Sequence, residues 1–458
     1  MDGAQQSSPL DRFLRLFTEV RPGEGSKAVL LAVNVFLILT AYYVLKPVRE
    51  ALILGQGSAE LKSYVSAGQV LLLAGLVPLY GKFVARLPRI RLINIVTAFF
   101  IGCLVLFYIL SLFNVPLGII FFLWIGIFSL MIVAQFWSFA NDVYTKEEGE
   151  RLFPIVGFGA SLGAVLGAGI ASQLIGPLGV YQLMLVGAVL LVLQVSITNY
   201  LDWKERAKGE PPQPEAADQE EADELESPEP KEESAPKGGG AFALVFQTRY
   251  LLLIAFLLMF LNWVNTTGEY ILGSVVEDAA RAAVAQGQAG GLSVEEFILQ
   301  FYARFFGVVN LAGVLIQLFL VSRIFKYLGV HIAVMILPCI ALGAYALLAF
   351  YPILAAIRWA KTAENSTDYS LNNTVRNVLF LPCTRAQKYS AKQAIDSFFV
   401  RLGDVLSALV VFIGTTYFAL QASGFAKFNI VLVLVWLVLA LAIGRQYKYV
   451  AATGRPPS

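Results

Sequence analysis

The chain has 458 residues, of which 57% are hydrophobic and only 14% carry a charged side chain. Soluble domains carry about a quarter charged residues, so this composition and a mean hydropathy of +0.69 exclude an ordinary soluble protein. The ten-residue segments of alternating hydrophobicity that mark an outer-membrane β-barrel are not found. The composition therefore predicts an all-α polytopic membrane protein.

Twelve apolar segments are long enough to cross about 30 Å of hydrocarbon as helices. The preceding stretch, residues 1–26, is polar and contains two prolines, so we expect no cleavable signal peptide and interpret it as a cytoplasmic segment. The predicted spans lie at 27–54, 64–86, 90–113, 116–143, 153–175, 177–201, 247–273, 297–322, 328–350, 353–382, 391–419 and 424–446.

An acidic stretch separates the first six spans from the last six. Residues 202–237 contain 13 acidic and 5 basic residues and show no hydrophobic period. Low hydrophobicity with high charge is typical of disorder, so we predict a disordered linker over 202–246. It would join a six-helix bundle at 27–201 to a second one at 247–447, and 448–458 would form a tail.

A polar insert, residues 274–296, interrupts the second group after its first span. We expect a short surface helix there, outside the cytoplasm. Ser293 followed by Glu296 is the pattern of a capping box, in which each residue satisfies a free backbone N–H at the start of a helix. This pattern predicts that the eighth span begins just after Ser293.

Lys and Arg concentrate in the loops on one side of the predicted membrane, and such loops face the cytoplasm. Both termini and the linker are then cytoplasmic, in a bacterial inner (plasma) membrane. A 6+6 arrangement with a cytoplasmic central linker resembles the major facilitator architecture. That architecture implies two six-helix bundles, a substrate site between them and alternating access.

The first span carries three charges beside Pro47. Lys46, Arg49 and Glu50 are three or four residues apart or adjacent, so a helix places them on one broad face. Charges within an apolar span are costly and persist mainly where they pair or line a polar path. Two interpretations follow: one wall of such a path, or the polar end of a helix that stops at Leu45.

The tenth span carries a longer polar stripe. Its members follow one another at steps of three or four residues, which is the period of a single helical face. A polar face turned towards lipid would be prohibitive, so we interpret the stripe as lining a cavity rather than forming an outer loop. The stripe comprises Arg358, Lys361, Asn365, Asp368, Asn372 and Arg376, and Glu364 and Tyr369 flank it.

Polar residues within other spans complete the candidate substrate-binding set. Cations predominate, and because Arg and Lys bind carboxylates and phosphates we predict an anionic substrate. The acids could pair with these cations or carry a coupled proton, and the sequence leaves both open. We expect no catalytic residue, metal or cofactor. The additional candidates are Asn141, Asn265, Glu269, Arg304, Arg401 and Asp404.

The fifth span is rich in small residues, among them Gly159, Gly163 and Gly167. Small residues at this density let two membrane helices approach closely. A phosphate-binding loop is the rival interpretation, but neither a preceding strand nor a Gly-Lys-Ser/Thr ending is present.

Several motifs resemble the ATP/ADP translocases, the nucleotide transporters of plastids and obligate intracellular bacteria. Residues 43–50, Tyr-Val-Leu-Lys-Pro-Val-Arg-Glu, resemble the family's first-helix stretch, with Arg49 at a functional lysine. Residues 136–141, Phe-Trp-Ser-Phe-Ala-Asn, and 369–371, Tyr-Ser-Leu, also resemble family motifs, and Arg376 takes a lysine position. Residues 388–396, Lys-Tyr-Ser-Ala-Lys-Gln-Ala-Ile-Asp, resemble a further one.

The chain departs from this family at several charged positions. Asn265 stands where the family has an acid in the seventh helix, and Asp404 reverses a positive charge. The resemblance implies a nucleotide transporter, by ATP/ADP exchange or related uptake, that acts as a monomer in the bilayer and binds no nucleic acid. The alternatives are a transporter of another organic anion, with or without a coupled proton, and a non-transporting scaffold that uses the acidic linker.

Overall fold

The structure is a computed structural model that describes residues 9–15, 18–84, 87–207, 241–384, 387 and 391–453. Within these ranges the chain is helical, as expected from its long apolar segments. The twelve predicted spans correspond to α1 Gly25–Gln56, α2 Ala59–Val84, α3 Arg89–Leu112, α4 Gly118–Val143, α5 Lys146–Leu178, α6 Gln182–Ala207, α7 Arg249–Ala285, α8 Val294–Phe319, α9 Val330–Phe350, α10 Leu354–Thr367, α11 Val400–Phe418 and α12 Ala422–Thr453.

Ten of these described helices are long and apolar enough to cross a membrane. The other two are α2 and α10, and α10 has only 14 residues in regular α-helical form. A π-helical segment, Asp368–Asn372, and a further α-helix, Asn373–Leu379, continue α10 along the predicted tenth span. A second π-helical segment, Ile395–Phe399, leads into α11.

The predicted insert differs from what the structure shows. Helix α7 continues to Ala285 instead of ending at 273, so about half of the insert belongs to this helix. The reason is local, because the stretch from 274 to 285 contains five alanines and neither proline nor glycine. The capping box of Ser293 and Glu296 is confirmed, and α8 begins at Val294.

The predicted linker is only partly open to comparison. Residues 208–240 lie outside the described residues, as do both ends of the chain, 1–8 and 454–458, and a few short stretches between helices. Helix α6 extends to Ala207, and a short helix, Ala241–Gln247, occupies the end of the segment predicted as linker.

The described residues pack as two compact units. Unit 1 contains the described residues within 9–50, 73–207 and 302–307, and unit 2 contains those within 51–72, 241–301 and 308–453. The tip formed by the end of α1 and the start of α2 therefore belongs to unit 2, unlike in the predicted bundles. There the backbone N–H of Ala59 donates to Glu277 Oε2 at 3.0 Å, and Tyr270 donates to Glu60 at 3.4 Å.

In unit 1, α5 lies directly against α1 along a row of glycines. A Cβ atom added at Gly159 would lie 2.4 Å from the carbonyl oxygen of Ala32, and one at Gly163 would lie 2.5 Å from that of Phe36. Gly167 meets Thr40 in the same way at 2.6 Å. The row thus brings two backbones together, as predicted from its small residues.

The segment before α1 is fixed to the start of α5. Arg151 donates to both carboxylate oxygens of Glu24, at 2.8 and 2.9 Å, and to the backbone oxygen of Glu19. The hydrogen bond from Arg151 lowers the pKa of Glu24 below its ordinary value. Asp11 accepts from the N–H of Gly25 at 3.0 Å and so caps the first turn of α1.

Candidate functional site

Lys46 lies on α1 among aromatic rings of unit 1. Its ammonium nitrogen is 4.0 Å from the ring centre of Phe306, 5.3 Å from that of Tyr43 and 5.9 Å from that of Tyr42. Only 8% of the residue is exposed. Ring faces attract a desolvated cation, so the aromatic residues stabilise this charge within an apolar helix.

Arg49 and Glu50 form an ion pair on the next turn of α1. Arg49 Nε donates to Glu50 Oε1 at 3.0 Å, and an Nη atom contacts the same oxygen. The guanidinium also lies 4.8 Å from the ring centre of Phe122. Glu50 is buried, whereas Arg49 keeps 18% of its side chain exposed. The arginine therefore presents the more accessible charge of the pair.

Lys361 is the centre of a charged network in unit 2. It is fully buried, and its Nζ lies 3.0 Å from Asn265 Oδ1, 3.2 Å from Glu364 Oε1 and 3.5 Å from Glu269 Oε1. Asn365 donates to the same Glu269 oxygen at 3.1 Å. Asn265 and Glu269 of α7 and Glu364 of α10 thus all lie close to the ammonium group of Lys361.

The buried carboxylate of Glu364 has a second partner. Tyr345 of α9 donates to it, with oxygen–oxygen distances of 3.0 and 3.3 Å. Gly268 makes room for this arrangement, because a Cβ atom there would lie 2.0 Å from the tyrosine hydroxyl and 3.0 Å from Lys361 Nζ. The network therefore ties α7, α9 and α10 together through charge-assisted hydrogen bonds.

Beyond Thr367 the predicted stripe does not continue as one α-helical face. The π-helical turn changes the period, and within it Asn372 donates to Asp368 at 2.6 Å. Arg376 lies 3.5 Å from Asp396, which precedes α11. Such π-helical turns often occur at functional sites. The stripe therefore divides into a network around Lys361, a local pair and an ion pair with the next span.

Asp404 of α11 is held by α7. Its Oδ1 accepts from Asn262 at 2.8 Å and from Thr266 at 2.7 Å, while Oδ2 lies 3.4 Å from Arg401. The neighbouring Gly403 lets the helices meet, because a Cβ atom there would be 2.8 Å from backbone atoms of α7. These contacts give Asp404 a role in helix packing.

Four further predicted site residues are exposed or half-buried. Asn141 and Arg304 are exposed, and so is Tyr369. Arg358 is half-buried, with its guanidinium 5.6 Å from the ring centre of Trp359.

The sequence reasoning missed Tyr345, Asn262 and Thr266 as partners of these charges. A tyrosine in an apolar span was a usable signal, since a buried hydroxyl needs a partner.

The same fold occurs in solved transporters. A crystal structure of a point mutant of the nucleoside transporter NupG superposes with a TM-score of 0.62 at 13% identity, over 92% of this chain and 99% of that one. A POT family transporter in complex with 5-aminolevulinic acid gives 0.59 at 13% identity, over 93% and 96%. A bacterial homologue of the human lysosomal transporter Spinster gives 0.54 at 15% identity, over 95% and 99%.

Fold and helix content together show a multi-pass membrane protein with the major facilitator-like fold that was predicted from the sequence. The family model described as TLC ATP/ADP transporter matches residues 4–123. This match covers about the first quarter of the chain, and over that part the predicted resemblance to the family is confirmed. A search of curated proteins found no match.

Proposed function

We propose that the protein carries nucleotides across the membrane, by exchange of the ATP/ADP type or by related uptake. The observation that carries this proposal is that the family match includes the charged turn of α1 at Lys46, Arg49 and Glu50. Basic side chains of this kind bind phosphate groups by charge and, for Arg, by a planar pair of N–H donors.

The proposed anion contacts are Lys46, Arg49, Arg358 and Arg376. The partial exposure of Arg49 and of Arg376, at 18% and 31% of the side chain, leaves both guanidinium groups accessible to a ligand. Asn141, Asn265 and Tyr369 are proposed as polar or stacking partners. An aromatic ring such as the half-exposed one of Tyr369 stacks on a nucleobase with little dependence on the base.

Asn265 stands where the family has an acid, and the network around Lys361 supplies carboxylates from other positions. Lys361 donates to this amide, and carboxylates come instead from Glu269, four residues further on α7, and from Glu364. The negative charge that Asp404 introduces is paired with Arg401 and accepts hydrogen bonds from two polar residues of α7. These substitutions leave another nucleotide, or another organic anion, as the second candidate substrate.

For cellular placement, we propose a bacterial inner membrane with both termini cytoplasmic. The basic loops after α2, α4, α8 and α10 support this orientation, because such loops are retained on the cytoplasmic side.

Uptake of labelled ATP into liposomes that contain the purified protein tests the proposal. Arg49→Gln and Arg376→Gln should each reduce uptake at least tenfold, and the double variant should abolish it. Arg206→Gln is the matched control, because this arginine is 61% exposed at the end of α6 and pairs with Asp202. It should transport normally.

Competition identifies the substrate class in the same assay. Unlabelled nucleotides should block uptake, whereas nucleosides and dicarboxylates should not. Normal uptake by the double variant would contradict the assigned anion contacts, and binding of dicarboxylates alone would contradict a nucleotide substrate.

A further inference from the structure

A second polar cluster, with no charge in it, lies inside unit 1. It contains Asn34 of α1, Thr97 of α3, Gln135 of α4, and Gln194 and Thr198 of α6, and we call it the neutral cluster. Each of the five is less than one-tenth exposed. Buried polar groups among apolar helices are costly unless they are hydrogen-bonded, so their partners can be followed one by one.

The neutral cluster lies at one level of the helices. Asn34 is nine residues after the start of α1, and Thr97 is eight after the start of α3. Gln135 is eight residues before the end of α4, and Thr198 is nine before the end of α6. Successive spans alternate in direction, so the starts of α1 and α3 and the ends of α4 and α6 lie on the same side of the predicted membrane. At 1.5 Å per residue, all four residues lie about 12–14 Å along their helices from that side.

Part of the cluster is satisfied internally. Asn34 donates to Thr198 Oγ1 at 2.8 Å and to the backbone oxygen of Gln194 at 3.1 Å. Gln194 donates back to Asn34 Oδ1 at 3.1 Å and to Thr198 Oγ1 at 3.0 Å. The amide nitrogen of Gln135 donates to the hydroxyl of Tyr80 at 2.8 Å. These bonds give each of the three amide nitrogens at least one acceptor.

Three oxygen atoms are not accounted for. Thr97 Oγ1, Gln135 Oε1 and Gln194 Oε1 are buried and have no hydrogen-bond partner among the described residues. All three side chains line the same small pocket, whose remaining walls include Ile132, Phe136 and other apolar side chains. The pocket has room for one molecule of the size of water.

We propose that this pocket is a binding site for a single ordered water molecule. The two glutamine oxygens only accept hydrogen bonds, and a water molecule has two hydrogens to donate to them. The threonine hydroxyl can donate to the water oxygen, so one molecule satisfies all three atoms. A buried water normally makes about three hydrogen bonds of this kind.

A bound cation fits these walls less well. The side chains that line the pocket are neutral, so no carboxylate would offset the cost of removing a cation from water. The proposed water therefore bridges α3, α4 and α6, whose side chains Thr97, Gln135 and Gln194 make no hydrogen bond to one another. Because the three side chains share this water, the stabilisation that each of them contributes depends on the other two.

The test is a double-mutant cycle on the full-length protein in detergent, read as the thermal unfolding midpoint. Thr97→Val and Gln135→Met should each lower the midpoint by about 2–4 °C. The double variant should lose clearly less than the sum, because the shared water is removed only once. Ser196→Ala is the control, since this exposed α6 hydroxyl bonds only to its own helix and should leave the midpoint unchanged.

A high-resolution structure of the wild-type protein supplies the second measurement. Density within about 2.6–3.2 Å of the three oxygens, lost in Thr97→Val, would support the proposal. An absence of density at that place would overturn it, as would strictly additive effects in the cycle. The midpoint is also compared in sodium, potassium and choline chloride at equal concentration. A sodium-specific rise that Thr97→Val abolishes would overturn the water in favour of a cation.

Discussion

The two units handle buried polarity in different ways. Unit 1 places amides and hydroxyls in its interior at the neutral cluster, and surrounds Lys46 with aromatic rings. Unit 2 instead buries an ammonium group, Lys361, with the carboxylates of Glu364 and Glu269. A neutral group that loses its partner costs a hydrogen bond, whereas a charge that loses its partner stays buried and uncompensated. Unit 2 should therefore be much less tolerant of substitution in the network around Lys361 than unit 1 is in its neutral cluster.

The largest effect is expected from Lys361→Met. It leaves Glu364 buried without its cation, which costs about 3–5 kcal/mol of unfolding free energy. The measurement is denaturant or thermal unfolding in detergent. Lys427→Met, at an exposed position of α12, is the matched control and should change stability little. Adding Glu364→Gln to Lys361→Met should recover part of the loss. Equal stabilities of Lys361→Met and the control would break the comparison between the units.

In unit 1 a smaller effect is expected from the close packing of α5 against α1. Gly163→Ala forces a methyl group against the carbonyl oxygen of Phe36, and overpacking of this kind costs about 1–3 kcal/mol. Gly157→Ala on the same helix is the control, since a Cβ atom there meets no atom within 4 Å. The two unfolding midpoints are compared directly. A Gly163→Ala midpoint as high as that of Gly157→Ala would show that α1 and α5 separate at little cost.

A smaller effect is expected at Asp404, where unit 2 uses a carboxylate for helix packing. Asp404→Ala removes the acceptor of Asn262 and Thr266, with an expected loss of about 1–2 kcal/mol. Asp404→Asn keeps one oxygen acceptor and loses only the contact with half-exposed Arg401, so its loss should stay below about 1 kcal/mol. If the asparagine variant is as unstable as the alanine variant, the charge matters more than the hydrogen bonds.

The smallest effect concerns pH and the Glu24–Arg151 pair of unit 1. Because the hydrogen bond to Arg151 lowers the pKa of Glu24 in the folded protein, this pair stabilises the fold above the unfolded-state pKa, about 4.3. That contribution is lost as the pH falls through the lowered pKa. Wild type should exceed Glu24→Gln by up to about 1 kcal/mol at pH 7, and the two should converge in acid.

A matched variant shows whether this pH dependence belongs to the pair. Glu147→Gln removes a carboxylate that is 80% exposed and 3.8 Å from Arg21, so its unfolding midpoint should follow wild type at every pH. A constant gap between wild type and Glu24→Gln down to strongly acidic pH would exclude the titration of Glu24 as the cause.

The helices could be predicted from the sequence, because the length of an apolar segment and its helical period are local properties. It also singled out Lys46, Arg49, Lys361 and Glu269, because any charge in an apolar span is conspicuous. It could not pair them, because pairing depends on how helices distant in the chain rotate against each other. The meeting of Asn265 and Lys361, 96 residues apart, is of this kind. The π-helical turn at Asp368–Asn372 and the end of α7 at Ala285 also depended on more than hydropathy.

The charged helix α10 also constrains how the protein is made. A lysine or aspartate at the centre of an inserting helix costs about 2.5–3.5 kcal/mol, and α10 carries Lys361 and Glu364 within one turn. Such a segment would not leave the translocation machinery for lipid by itself. Its partners Asn265, Glu269 and Tyr345 precede it in the chain and are already synthesised when Lys361 emerges. Insertion of α10 during synthesis therefore requires that α7 and α9 are already in the membrane next to it. A defect in either helix would then appear first as degradation of the nascent protein.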